Sequence, residues 1–242
     1  MAVELPVRST EEAKAAGTLR AGGAIGVASA LLALALPWVL LVGSSAATRL
    51  FVLNLSLLHA VGALALAGSL GVLVTFLLYR RAFTRLRHAD PRLRAAVLLC
   101  RLGSIGTVAL LAVFAWLLGG PGSLVRCLSG DPSDVYVCVR SSAPEVAWVA
   151  VTGFWLVWAG GVGVVVGLRL AGRHYRAETL GAAAALYGAL LVLLLLPFVS
   201  LVYLLHGATY TGLVAALAGV AAPALVWQGA RVRSGHPAPS AG

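Results

Sequence analysis

Residues 50–94 read LFVLNLSLLHAVGALALAGSLGVLVTFLLYRRAFTRLRHADPRLR, and the change at position 80 decides the fold class. Thirty residues, 50–79, pass without one Asp, Glu, Lys or Arg, and then Arg80, Arg81, Arg85, Arg87, Arg92 and Arg94 follow within fifteen. A helix needs about 20 apolar residues to cross a hydrocarbon layer ~30 Å thick, so the first part reads as a membrane span and the second as the point where the chain leaves the lipid. Strands are not expected, because an open sheet edge in lipid would leave backbone groups unpaired.

The pattern recurs along the chain. Apolar spans fall at about 23–43, 50–79, 94–119, 146–170, 179–205 and 210–229, which predicts an all-α polytopic bundle of about six transmembrane helices occupying residues 23–230. Residues 1–22 read as a cytoplasmic segment and 231–242 as a disordered cytoplasmic tail rich in Pro, Ser, Gly and Ala. The composition agrees, with 60% hydrophobic residues, 11% charged and a mean hydropathy of +0.96, outside the range of a soluble domain.

A net charge of +10 raises nucleic acid as a partner, but the location of the charge argues against specific nucleic-acid binding. Arg8, Lys14 and Arg20 precede the first span, six arginines follow the second, Arg169, Arg173 and Arg176 follow the fourth, and Arg231 and Arg233 follow the last: fourteen on one side. Arg49, Arg126 and Arg140 are the three on the other, with Arg101 inside the third span. The positive-inside rule then places both termini in the cytoplasm and the protein in the cell membrane as a multi-pass component. Glu4, Glu11 and Glu12 offset the early basic residues, and the run after them is longer than a signal peptide's apolar region, so the first span reads as retained. Ser9 and Glu12 have capping-box spacing for a short helix over 10–19 on the cytoplasmic face.

Cys127 and Cys138 share the long external segment 120–145, among turn formers such as Gly130, Asp131 and Pro132. Outside the reducing cytoplasm they are expected to form a disulfide; two free thiols are the alternative, and no metal site is expected because two sulfurs supply too few ligands. Cys100 reads as a small buried hydrophobe. Polar groups within the spans are few: Asn54, Ser56 and His59 in the second and Arg101 in the third, with no carboxylate in any. Such groups are functional candidates because they are costly in lipid. Arg101 is near enough to the cytoplasmic end to snorkel, or else faces inward toward an acidic lipid or a neighbouring helix. His59 and His206 lie at different depths, which disfavours a shared haem, and no cofactor is expected.

Small residues recur at helical spacing: Ala63, Ala67 and Gly71; Ala159, Gly163, Gly167 and Ala171; Ala184 with Gly188; Ala215 with Gly219. They predict close helix packing, within the bundle or between copies. Pro37, Pro197 and Pro223 are candidate bends. The stretches around Gly71–Arg81 and Gly163–Arg173 look alike, which the abundance of Gly and Val explains.

The motifs Tyr79-Arg80-Arg81-Ala82-Phe83, Asp90-Pro91-Arg92, Gly167-Leu168-Arg169 and Gly172-Arg173-His174-Tyr175, followed by an apolar run with Pro197-Phe198, resemble a family of archaeal membrane proteins known only as a domain of unknown function. The resemblance implies a multi-helix membrane fold and no activity. Common catalytic signatures are absent, which disfavours an enzyme. The expected function is a non-catalytic membrane component or complex subunit whose basic cytoplasmic face meets anionic lipid headgroups, a membrane-protein partner or further copies. The alternatives are a transport or channel component and a membrane haem or quinone redox protein.

Overall fold

The computed structural model describes residues 10–47, 55–119, 132–199 and 208–230, and the side chains of 10–32, 62–116, 146, 148–195 and 217–230. Among the described residues the chain is all helical: α1 Thr10–Ala47, α2 Leu55–Leu86, α3 Leu93–Gly119, α4 Pro132–Tyr175, α5 Glu178–Val199 and α6 Ala208–Gly229. Five of the six are long and apolar enough to cross a membrane, through Thr10–Leu32, Gly62–Leu86, Leu93–Trp116, Trp148–Tyr175 and Glu178–Leu195; α6 adds the shorter apolar stretch Leu217–Gly229. Large apolar side chains face outward around the bundle, among them Leu70, Leu98, Ile105, Val108, Val192 and Leu217. Water would not tolerate such a continuous surface, whereas lipid requires it.

Neighbouring helices run antiparallel, with the most extensive contact between α3 and α4 and further contacts of α1 with α2 and α6, α2 with α3, and α5 with α4 and α6. Glycine permits the tightest of these approaches. A Cβ placed on Gly103 of α3 would lie 2.7 Å from the Gly160 Cα of α4, so the two backbones touch where no side chain intervenes. Of the expected small-residue positions on α4, Gly163, Gly167 and Ala171 are buried and Ala159 partly so, whereas Ala63 and Ala67 of α2 are exposed; Gly103 and Gly106 of α3 carried no such expectation. Gly188 and Gly219 behave differently, since nothing lies within 4 Å of a Cβ added at either.

In three places the helices continue beyond the limits of the apolar runs. The short helix over 10–19 and the first span form one continuous helix, α1, so residue 22 is not a helix boundary. Gly22 and Gly23 do not interrupt it because they are packing positions: Gly22 lies against the Tyr79 ring of α2, and Gly23 against the Pro223 carbonyl and Trp227 of α6. Ser9 lies outside the described residues.

The second span continues as α2 through Leu86, placing Arg80, Arg81 and Arg85 on a helix and not in a loop. Tyr79, Ala82, Phe83 and Leu86 recur on one face and are buried, so packing carries the helix beyond the end of its hydropathy signal. Finally, much of the expected external loop 120–145 is helical, because α4 begins at Pro132 and runs 44 residues, roughly 66 Å at the helical rise. Of the expected disulfide pair, Cys127 lies outside the described residues, and Cys138 is described by backbone only, near the start of α4.

Candidate functional site at the basic end of the bundle

The antiparallel order brings the start of α1, the α2–α3 turn, the α4–α5 turn and the end of α6 to one end of the bundle. All the lysines and arginines with described side chains belong to this end: Lys14 and Arg20, the six from Arg80 to Arg94, Arg101, and the trio Arg169, Arg173 and Arg176. A dry core lies beneath them, built from Leu19, Tyr79, Phe83, Leu93, Leu168, Tyr175 and Leu180. Trp227 flanks this end with the Arg20 guanidinium 5.9 Å from its ring centroid, and Trp148, 73% exposed, marks the start of the α4 span at the other end. Aromatic residues at both limits suit the two interfaces of a bilayer.

The first turn of α1 is clasped between the two basic turns. Arg85 Nη1 donates to the Lys14 carbonyl at 3.1 Å and to Thr18 Oγ1 at 2.9 Å, while its Nε lies 3.9 Å from Glu11 Oε2. On the other side, His174 Nε2 meets Glu12 Oε1 at 3.1 Å, and the Tyr175 hydroxyl donates to the Glu12 carbonyl at 3.3 Å. Arg85 is therefore a fastener between α2 and α1. Arg81, Arg92 and Arg94 are exposed, and Arg80 and Arg87 are partly buried. Asp90 caps α3 by accepting from the Arg92 N–H at 2.9 Å, with Pro91 next in the chain, an order that suits a helix start.

The α4–α5 turn is tighter. The Ala177 N–H donates to the Gly172 carbonyl at 2.9 Å and the Arg176 N–H to the Arg173 carbonyl at 3.3 Å, the paired bonds of a Schellman cap. The left-handed residue of such a cap is usually glycine; here it is Arg176, with φ at 51°. Arg169, Arg173, Arg176 and Glu178 line a groove of about 710 Å³ between α4 and α5. All four are exposed, and among the described residues no carboxylate lies within ion-pair distance of these arginines.

The intramembrane candidates do not form a second site among the described side chains. Arg101 is exposed on α3, facing away from the core. Ser56 and His59 are described as α2 backbone only, while Asn54 and His206 lie outside the described residues. Three buried hydroxyls are spent within their own helices, Ser29 donating to the Ile25 carbonyl, Ser104 to Cys100 and Thr107 to Gly103, whereas the buried Thr179 Oγ1 of α5 has no hydrogen-bond partner among the described residues. Between helices, the Tyr79 and Tyr187 hydroxyls are 3.4 Å apart, and Trp158 Nε1 donates to the Leu191 carbonyl at 3.2 Å. Sequence reading missed the Glu12–His174 pair, the two-tyrosine contact and the groove. The i, i+4 pair Arg169 and Arg173 was the one signal that could have indicated the groove. No family model, curated protein or solved structure matches this chain.

Proposed function

We propose that the protein is a non-catalytic component of the cell membrane whose basic end faces the cytoplasm and binds anionic headgroups. The observation that carries this reading is the collection of the described cationic side chains at one end of a bundle whose sides are apolar. A basic residue near an anionic leaflet gains on the order of 1 kcal/mol, and several act together within a Debye length. Arg81, Arg92 and Arg94, exposed beside the predicted inner interface, are placed to act this way. The hydroxyls of Ser29, Ser104 and Thr107, turned back onto their own helices, support a packing role over a conduit or reaction centre.

The test is headgroup selection. The full chain, reconstituted in nanodiscs of mixed phosphatidylglycerol and phosphatidylcholine, is expected to enrich phosphatidylglycerol around itself, with enrichment falling as salt rises. Replacing Arg81, Arg92 and Arg94 together by Gln should lower both the enrichment and its salt slope. Equal composition around the protein and in bulk lipid would reject the reading.

A further inference from the structure

The groove between α4 and α5 combines charge and apolar surface in an order that a diffuse basic face does not need. At its mouth, Arg169, Arg173 and Arg176 converge with Glu178 as the one acid, leaving a formal excess of two positive charges, three minus one. Arg169 and Arg173 are one helical turn apart on α4, and the left-handed Arg176 closes the turn beside them. Deeper in, the lining changes to Val165 on α4 and Ala184, Ala185 and Gly188 on α5. From Glu178 to Gly188 is ten residues, or roughly 15 Å along the helix axis, well into the depth of one leaflet. Space at the Gly181 and Gly188 positions is open, with nothing within 4 Å of an added Cβ at either.

We propose that this groove is a binding site for one anionic phospholipid, with its phosphate among Arg169, Arg173 and Arg176 and an acyl chain along Val165, Ala185 and Gly188. The proposal rests on the preceding reading that the basic end meets anionic headgroups, and turns that general attraction into a discrete site. Guanidinium groups suit the occupant because their planar N–H pairs match phosphate oxygens. The apolar floor suits it because a soluble anion has no use for a seam that descends into the bilayer. Holding Arg at the left-handed cap position, where Gly would be unstrained, keeps a third cation at the mouth.

The test uses the full chain, delipidated in a neutral detergent and titrated with dioleoylphosphatidylglycerol, dioleoylphosphatidylcholine or soluble glycerol 3-phosphate, with bound species counted by native mass spectrometry. Phosphatidylglycerol should saturate at one tight copy, with phosphatidylcholine and glycerol phosphate at least about tenfold weaker. Arg169, Arg173 and Arg176 replaced together by Gln should weaken it by more than about tenfold, since each basic residue contributes about fivefold at low salt. The matched replacement of Arg81, Arg92 and Arg94 should weaken it less than about twofold. Gly188→Leu places an apolar side chain in the seam without altering charge, at a position where an added Cβ meets nothing within 4 Å, and should weaken the lipid while leaving glycerol phosphate unchanged. Glycerol phosphate binding as tightly as the lipid would overturn the lipid assignment. Equal losses from the two arginine triplets would overturn the discrete site while leaving the basic-face reading intact, and no preference for phosphatidylglycerol in any variant would remove both.

Discussion

The α2–α3 and α4–α5 turns are both arginine-rich and lie at the same end of the bundle, yet their charges are used differently. On the first, Arg85 is fixed by the Lys14 carbonyl and the Thr18 hydroxyl, and Tyr79, Phe83 and Leu86 of the same helix are buried. On the second, Arg169, Arg173 and Arg176 stand exposed around a groove, held by a cap whose left-handed residue is itself an arginine. Charge counting predicts the orientation of both turns alike. Packing decides which of the charges are available to a ligand.

The contrast is sharpest in stability. Phe83→Ala should cost about 3 kcal/mol, because the ring fills the space against Gly167, whereas Arg173→Ala on the second turn should stay within about 0.5 kcal/mol. Thermal unfolding of both variants in one neutral detergent checks this, and similar losses would erase the distinction. A smaller effect separates two arginines of the same turn. Arg85→Ala should destabilise by roughly 1–2 kcal/mol through loss of the bonds to α1, and exposed Arg81→Ala by less than about 0.5 kcal/mol.

The smallest effect has the opposite sign. Arg176→Gly should raise stability by roughly 0.5–1 kcal/mol by relieving the left-handed strain at φ 51°, while weakening capture of phosphatidylglycerol. A purely structural arginine would not separate the two readouts, so loss of both stability and lipid binding would place Arg176 in the fold and not in the site.

How much of this was legible depends on which signal the sequence carries. The helical class and the antiparallel order followed from apolar runs separated by arginines, because lipid dictates both. The end of α2 was not legible from hydropathy, which stops at Arg80, although Tyr79, Ala82, Phe83 and Leu86 already carried the inward spacing of a continuing helix. The start of α4 at Pro132 was not legible from hydropathy, because the apolar run begins only near residue 146, although proline is at home in the first turn of a helix. The groove was the least legible element. It requires α4 and α5 to lie side by side and Arg176 to take a conformation that sequence rules assign to glycine.

The central claim is that the arginine-rich end lies in the cytoplasm, and thiol accessibility at the α2–α3 turn tests it most directly. His88 is exposed between Arg87 and the Asp90 cap, so His88→Cys, in a chain with Cys127 and Cys138 replaced by Ala, leaves buried Cys100 as the other thiol. A membrane-impermeant maleimide added to intact cells should leave the introduced cysteine unmodified and label it fully after permeabilisation. Labelling in intact cells would place the basic end outside and contradict the account.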